Sequence, residues 1–487
     1  MPFSLLYRSA VCRALAIALL ACSSFALGQE PAAPESEGSP SPDTVHDATE
    51  MLQRMVDSSI GLVEFPAGTF TISKPIVVDL TALGYRGIRG ANGATRLIMT
   101  GAGPAIRIVG DHQGTANPES VEEHTWERER FPVISGLEIL GRHLEADGIE
   151  LVRTMKCTVQ NVLVRQCRYG IHLVERNRNF LLADSHIYHC TDTGVFLDDC
   201  NLHQVNIIGN HISYNQRAGI RQWNGDVHNI QITGNDIEYN AGSEESSGEI
   251  VLEAPETLVS EYTIVSNTIQ ARPEHAGANI RIVGSEANTP HAARAITIAS
   301  NVIGSRTKNI EIEHAARTAI TGNTIYGGVE LSVHLKHCQN FVLSDNVIGT
   351  RPSMYEAHSQ YRDGVLLEDC SDASLTGNVI NGMWSGSEEA GGGVSLRDCR
   401  YLRISSCQIL DSKFRGINLV NAVGCVISDN TVANRDPANA LPAIAISGEG
   451  RGNLVQGNLV VSAAPEPVLI PEGMATITGN TIQKVEE

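Results

Sequence analysis

Aromatic residues and cations are both scarce in this chain. Aromatic residues make up 5% of its 487 residues, whereas 42% are hydrophobic, so a large core must be built mostly from aliphatic side chains. The 36 Lys and Arg residues face 55 Asp and Glu residues, for a net charge of −19. This balance argues against nucleic acid as a partner, because phosphate binding needs clustered cations. A polyanionic polysaccharide would need a bound cation or a local Arg cluster.

Long apolar runs are also missing. After residue 30 no stretch approaches the roughly 18 uninterrupted apolar residues of a membrane-spanning helix, so we expect no membrane span. A short apolar run, residues 14–21, follows Arg8 and Arg13, and small residues precede Gln29. This pattern predicts a secretory signal peptide over residues 1–28 and an exported protein, located in the periplasm, at the cell surface or outside the cell.

The same segment allows a second interpretation. Leu19-Leu20-Ala21-Cys22 resembles a bacterial lipoprotein box, in which Cys22 would carry a lipid anchor. Residues 29–45 are rich in Pro, Ser, Glu and Ala and predict a flexible linker. We expect one domain over residues 46–487, beginning with a helix over residues 46–59 that covers the end of the core with Ala48, Met51, Leu52, Met55 and Val56.

A repeated Asn motif runs through this domain. It takes forms such as Ile232-Thr233-Gly234-Asn235-Asp236-Ile237, and its copies lie about 22 to 34 residues apart. The clear copies centre on Asn210, Asn235, Asn267, Asn301, Asn323, Asn346, Asn378, Asn430, Asn458 and Asn480, and weaker ones on Leu137, Asn161, Ser185 and Cys407. We interpret the Asn residues as a ladder whose amides hydrogen-bond from one repeat to the next, rather than as glycan or metal sites.

A second motif precedes each Asn copy. Gly148-Ile149-Glu150-Leu151 and Gly170-Ile171-His172-Leu173 illustrate it, with alternate residues pointing inward. We expect two short strands per repeat and no helix between them. This pattern excludes a βαβ sheet and predicts an all-β fold, a single-stranded parallel β-helix in which equivalent strands stack about 4.8 Å apart.

The cysteines follow the same repeat. Removing Cys12 and Cys22 with the signal peptide leaves nine of the eleven, which cannot all pair. Leu197-Asp198-Asp199-Cys200 recurs in related form, ending at Cys338, Cys370 and Cys399. We expect most cysteines to be free and buried, and the Asp that precedes Cys200, Cys370 and Cys399 to serve a turn.

These repeats resemble the right-handed parallel β-helix proteins of the pectin-lyase-like superfamily. The opening segment Leu62-Val63-Glu64-Phe65-Pro66-Ala67-Gly68-Thr69-Phe70 is similar to the start of the pectate-lyase-like and tailspike-like branch. The resemblance implies the fold, and it leaves the activity open among lyases, hydrolases, epimerases and noncatalytic members. Of the polygalacturonase motifs, only Asp198-Asp199 and Arg306-Thr307-Lys308 match, and the alginate epimerase signature Asp-Pro-His-Glu is absent.

Stacking the repeats predicts two outward rows of side chains. The first row contains Glu150, His172, Phe196 and Arg221, and the second Val152, Val174, Asp198, Trp223 and Glu253. Asp198 and Glu150 would lie about 10 Å apart along the stack, near the upper limit for an inverting glycosidase. A charged, solvated face with one packed aromatic residue is the alternative interpretation.

We assign roles to these residues as hypotheses. Asp198 is the general acid or base, His172 its proton-transfer partner, Arg221 the charge-stabilising cation and Trp223 a platform for a sugar ring. Glu150 and Asp147 are further catalytic carboxylates, and Glu253 and Asp199 contact the substrate. The 110–131 insertion forms a wall of this site or a surface decoration.

A neighbouring row carries residue types that can ligate a metal. His186, His211 and Asp236 stack on consecutive repeats, but adjacent ladder positions seldom converge on one point, so we assign no metal ligands. No cofactor is required, although a divalent cation such as calcium is compatible with the acidic composition. The predicted function is binding and cleavage of a polysaccharide by a lyase or glycoside hydrolase. The alternative is a noncatalytic carbohydrate-binding or adhesive solenoid.

Overall fold

The computed structural model describes residues 46–114, 117–289, 291–349 and 364–485. The predictions for the signal peptide, the linker and Cys22 fall on residues 1–45, outside this part. In the described residues, 44 strands stack with parallel pairing throughout, which confirms the right-handed parallel β-helix. No helix in this part combines the length and the apolar surface needed to cross a membrane.

Each turn of the solenoid has three strands, so the prediction of two strands per repeat was wrong. One turn runs through Ala146–Val152, Thr158–Gln160 and Leu163–Arg165, each paired with its counterparts in the neighbouring turns. The Asn motif is not one strand. Gly234 adopts φ +66° ahead of Asn235, and this corner separates the strand Asp226–Thr233 from Asp236–Glu238. The strands therefore form three stacked columns, which we call sheets 1, 2 and 3.

Sheet 1 carries the Gly-Ile-x-Leu motif and comprises Ile76–Asp79, Gly103–Val109, Ala146–Val152, Ala218–Trp223, Gly248–Glu253, Ala278–Val283, Val365–Glu368, Gly392–Arg397, Arg415–Val420, Ile444–Ser447 and Val468–Leu469. Sheet 2 precedes the Asn corner and comprises Gly61–Glu64, Arg86–Arg89, Val133–Ser135, Thr158–Gln160, Asp226–Thr233, Leu258–Ser260, Tyr262–Val265, Ala293–Ala299, Ala315–Thr321, Gln339–Ser344, Ser374–Thr376, Arg403–Ser405, Val426–Ser428, Asn453–Gln456 and Ala475–Thr478.

Sheet 3 follows the corner and comprises Gly68–Ile72, Thr95–Met99, Leu137–Gly141, Leu163–Arg165, His186–Tyr188, His211–Ser213, Asp236–Glu238, Thr268–Gln270, Val347–Gly349, Val379–Asn381, Gln408–Leu410, Thr431–Ala433, Leu459–Ser462 and Thr481–Lys484. Four long strands bend around a corner and belong to two sheets. Tyr169–Ala183 and Thr193–Ile208 join sheets 1 and 2, and Val302–Glu313 and Thr324–Lys336 join sheets 3 and 1.

The Asn ladder has the predicted geometry. Asn210 illustrates it, because both its backbone N–H and its side-chain amide donate to Oδ1 of Asn235 in the next turn. The chain of bonds runs from Ser185 to Asn480, and Cys407 replaces one asparagine along the way. The ladder satisfies the polar groups of a buried corner, which would otherwise destabilise the core.

The interior is aliphatic, as the composition predicts. One column of inward residues in sheet 1 is fully buried: Ile149, Ile171, Val195, Ile220, Ile250, Ile280 and Ile310. The nine cysteines of the described residues are all buried and free, which confirms the cysteine prediction. The Sγ atoms of Cys338, Cys370 and Cys399 lie within hydrogen-bonding reach of backbone carbonyls of their own or the preceding turn.

The described residues contain two α-helices, α1 (Thr49–Ser58) and α2 (Leu80–Leu83). Leu52 and Val56 of α1 pack into the first turn of the core, while Met51 is exposed. Gln53 exchanges hydrogen bonds with the backbone of Val77, so α1 also satisfies an edge of sheet 1.

Candidate functional site

The outer face of sheet 1 carries the two predicted rows. The strand registers pair Glu150 with His172, Phe196 and Arg221 in successive turns, and Asp198 with Trp223 and Glu253. This arrangement follows from the alternation of the strands, because Ile149 and Leu151 point inward.

His172 lies between two carboxylates. Its Nε2 lies 3.1 Å from Oδ2 of Asp198, and its Nδ1 lies 3.6 Å from Oε2 of Glu150. The ring stacks on Phe196 with a centroid distance of 5.5 Å. Burial alone would lower the pKa of His172, but the contacts with Asp198 and Glu150 outweigh it and raise this pKa to about 9. His172 is therefore an imidazolium near neutral pH and can donate a proton or hold an anion, but it cannot act as a base.

Glu150 and Asp147 have cationic partners of their own. Arg107 donates from Nε to Oε1 of Glu150, and this contact, with that of His172, outweighs burial and lowers the pKa of Glu150. Asp147 accepts two hydrogen bonds from Arg168. Ligand atoms of Asp147, Glu150 and His172 lie within 4.8 Å of one another. We call Asp147, Glu150, His172 and Asp198 the His172 cluster.

Arg221 and Trp223 lie on the next turn. The Arg221 guanidinium carbon is 5.0 Å from the Phe196 ring centroid and 5.1 Å from that of Trp223. Arg221 is 6% exposed, whereas Trp223 is 37% exposed. Within the described residues, no carboxylate forms a salt bridge with Arg221, and its Nε has no hydrogen-bond partner. A buried guanidinium without a carboxylate partner is available to an anionic ligand.

Two of the residues predicted to contact the substrate have structural surroundings of their own. Asp199 is exposed and lies in a left-handed turn at φ +41°, as Asp369 does at φ +48°, which is the geometry of a turn residue. Glu253 is bound by Arg281 at 3.0 Å. The Arg-x-Lys match also divides between two environments, because Arg306 is fully buried against Glu249 at 3.0 Å while Lys308 binds Glu311.

The structure does not bring together the three stacked residues on sheet 3, His186, His211 and Asp236. His211 Nε2 lies 3.1 Å from Oδ2 of Asp236, but Nδ1 of His186 contacts the Tyr188 hydroxyl at 3.0 Å. Glu238 takes the third position beside His211 and Asp236. All three of these residues are partly exposed.

Sequence reasoning missed a second cluster on the same face. His334 lies 2.8 Å from Glu368 and 3.8 Å from Glu311. Glu311 is also bound by Arg281 and Lys308, and Glu368 by Arg397. Six register steps separate His334 from His172, or about 29 Å. We call Glu311, His334 and Glu368 the His334 cluster. Arg107 was also missed, although it occupies the Glu150 position one turn earlier.

Two family models match parts of the chain. One, described as a right handed beta helix region, matches residues 308–483, and one described as periplasmic copper-binding protein (NosD) matches residues 134–280. A search of the curated proteins finds no significant match.

Solved structures share the fold at low identity. The tailspike of E. coli bacteriophage HK620 in complex with a pentasaccharide is 13% identical, with a TM-score of 0.53 over 84% of this chain and 77% of that chain. The same tailspike in complex with a hexasaccharide is 12% identical, with a TM-score of 0.50 over 84% and 76%. A mannuronan C-5 epimerase A-module from Azotobacter vinelandii is 14% identical, with a TM-score of 0.42 over 91% and 96%.

Proposed function

This chain has the right-handed parallel β-helix fold of pectin-lyase-like proteins, and we propose that it is an exported enzyme that binds and cleaves a polysaccharide on the outer face of sheet 1. The substrate class is a polysaccharide with carboxylate groups. The observation that carries this proposal is Arg221, a buried guanidinium that no carboxylate of the described residues pairs with, beside the exposed ring of Trp223 and one turn from Asp198.

The charges of the site suit an acidic sugar. The chain is strongly acidic overall, so an anionic substrate needs a local cation to bind. Arg221 would pair with the sugar carboxylate, and in an elimination it would also stabilise the charge that develops as the neighbouring proton leaves. Trp223 would stack against the apolar face of the ring.

We assign proton transfer to Asp198 and His172. Asp198 is the more exposed carboxylate, with 37% of its side chain accessible against 9% for Glu150, and serves as the base. It would remove the proton beside the sugar carboxylate in a lyase, or activate water in a hydrolase. His172, which carries a proton at neutral pH, would donate it to the departing glycosidic oxygen. Glu150 holds the imidazolium in place.

Two further observations support a carbohydrate ligand and export. The tailspike with the same fold is described in complex with a pentasaccharide and with a hexasaccharide. For export, the sequence predicts a signal peptide over residues 1–28, and a family described as periplasmic matches residues 134–280.

The test is a panel of acidic and neutral polysaccharides incubated with the purified protein. Products are scored for new reducing ends and for the ultraviolet absorbance of unsaturated sugars. A lyase raises both signals, and a hydrolase raises reducing ends alone. The matched control is Asp198→Asn, which should abolish either signal. Binding of an acidic polysaccharide without any product would overturn the enzymatic proposal in favour of the noncatalytic solenoid.

A further inference from the structure

The insertion between sheets 1 and 2 brings together three ligand-type side chains. It leaves sheet 1 after the strand Gly103–Val109 and returns at Val133–Ser135, with a π-helical turn over Thr125–Glu129. Asp111 lies at its start, and His124 and Glu129 flank the π-helical turn. One ligand atom from each of these residues lies within 4.8 Å of the other two.

Among the described residues, the contacts between these groups leave one buried carboxylate oxygen without a hydrogen bond. Nδ1 of His124 makes an ion-pair contact with Oδ2 of Asp111 at 2.6 Å. Oδ1 of Asp111 accepts a hydrogen bond from Thr125 at 2.8 Å, and Oε1 of Glu129 accepts one from the Asp111 backbone at 2.9 Å. Within the described residues, Oε2 of Glu129 has no hydrogen-bond partner.

The burial of the Glu129 carboxylate is a second observation that points to a ligand. Glu129 is 1% exposed, and its carboxylate faces the carboxylate of Asp111. A buried carboxylate beside another carboxylate must be neutralised, either by a proton or by a cation. Gly110 also packs closely here, because a Cβ at this position would lie 2.7 Å from Oε2.

We propose that Asp111, His124 and Glu129 bind a divalent cation of the zinc class. Two carboxylates and one imidazole form a ligand set that zinc accepts, with a fourth position for water. Calcium prefers six to eight oxygen ligands, so an imidazole at the site selects against it. The side chains of His124 and Asp111 are 34% and 31% exposed, which gives the ion a path from solvent.

The cation would brace the insertion against the solenoid. Arg176 donates to the Gly114 carbonyl, and the Lys156 ammonium lies 3.3 Å from the Trp126 ring centroid. Arg176 and Lys156 lie on the turns that also carry His172 and Glu150. An ordered insertion would thus form a wall beside the His172 cluster. The metal site itself does not depend on the proposed enzymatic function.

The test uses the full chain, freed of metal by chelation and dialysis. Calorimetric titration with Zn²⁺, and with Ca²⁺ and Mg²⁺ in parallel, should show one Zn²⁺ bound per chain and a rise in melting temperature with Zn²⁺. His124→Ala and Glu129→Gln should each weaken Zn²⁺ binding by about tenfold or more. The matched control is His211→Ala. It removes the imidazole of a different group, His211, Asp236 and Glu238 on sheet 3, and should leave Zn²⁺ binding at the insertion unchanged.

Glu129→Gln also distinguishes a bound cation from a bound proton as the group that neutralises the Glu129 carboxylate. If Glu129 only holds a proton, the variant should match the parent in melting temperature with and without Zn²⁺, and the proposal fails. The proposal also fails if the parent binds no Zn²⁺, or if His211→Ala removes binding while His124→Ala does not. In the metal-free state we expect Glu129→Gln to be at least as stable as the parent, because the amide carries no charge to bury.

Discussion

The His172 and His334 clusters share one arrangement and differ in how their charges are balanced. Each places a histidine between two carboxylates on successive turns of sheet 1. Around His334, Arg281, Lys308 and Arg397 bind the carboxylates. One turn beyond Asp198, by contrast, the Arg221 guanidinium has no carboxylate partner in the part of the chain that the structure describes, and it lies beside an exposed Trp223. Charges that are already paired hold a structure together, whereas an unpaired one leaves a place for a ligand.

The His334 cluster should make the larger contribution to stability. Burial raises the pKa of Glu311, but the contacts of His334, Arg281 and Lys308 outweigh it and lower this pKa to about 2. Glu311→Gln would leave these cations without their anion, so we expect it to lower the free energy of unfolding by about 3 to 5 kcal/mol, measured by denaturant unfolding. Glu150→Gln, which loses fewer cationic partners, is the comparison. An equal loss in both variants would remove the distinction between the clusters.

The protonation of His172 makes stability depend on pH. The pKa of His172 is raised from 6.5 to about 9 in the folded protein, so folding is favoured by the proton that it binds. This contribution, on the order of 3 kcal/mol, is fully present below pH 6.5 and is lost as the pH rises through about 9.

The free energy of unfolding of the parent minus that of His172→Gln should therefore shrink from pH 6 to pH 10. The pKa of His334 is raised as well, mainly because contacts with Glu311 and Glu368 outweigh burial, so His334→Gln should change in the same direction. A difference that grows with pH would contradict the assigned charge of His172.

Activity should depend on the first cluster alone. Asp198→Asn should lower turnover by about a hundredfold or more, because it removes the proposed base, and it should also lower the melting temperature at neutral pH, because it removes one of the two carboxylates that stabilise the imidazolium of His172. The matched control is Glu368→Gln, which alters the carboxylate that holds His334 in the same way. Turnover in the control should stay within about twofold. Equal losses in the two variants would show that neither carboxylate has a specific role.

Much of the fold could be predicted from the sequence, because its rules are local. Alternation in Gly148-Ile149-Glu150-Leu151 determines which side chains point inward, and the Asn corner repeats in almost every turn. The third strand was missed since its three residues, such as Asp236–Glu238, read as the end of the strand before the corner. The apolar pattern of the sequence does not reveal this bend. In the structure, the bend is visible as the φ of +66° at Gly234.

The site could be predicted only where the Gly motif persists. Gly219 is followed in the stack by Glu249 and then by polar residues such as Asn279 and Asn309, so the repeat is no longer recognisable there. The repeat is lost because Glu249 occupies the position that Gly219 holds one turn earlier. Glu249 points into the core, where it binds Arg306 and the Asn240 backbone, and side chains replace the close glycine contact of earlier turns. The predicted rows therefore stopped at Glu253, short of His334. Ion pairing, which decides the roles of Asp147 and Glu253, depends on rotamers that no periodicity encodes.

The smallest expected effect tests Arg221 as the binding cation. Arg221→Met should raise KM for an acidic substrate by about tenfold, because a single charge-assisted contact is worth roughly 1.5 kcal/mol or more. Arg221→Lys should recover only part of the loss, since an ammonium lacks the planar fork that matches a carboxylate. Arg397→Met removes a cation of the His334 cluster that already has a partner in Glu368, so KM should stay unchanged. If the acidic polysaccharide were bound equally well by the parent and by Arg221→Met, the guanidinium would have no role in recognition, and the assignment of an acidic substrate would be wrong.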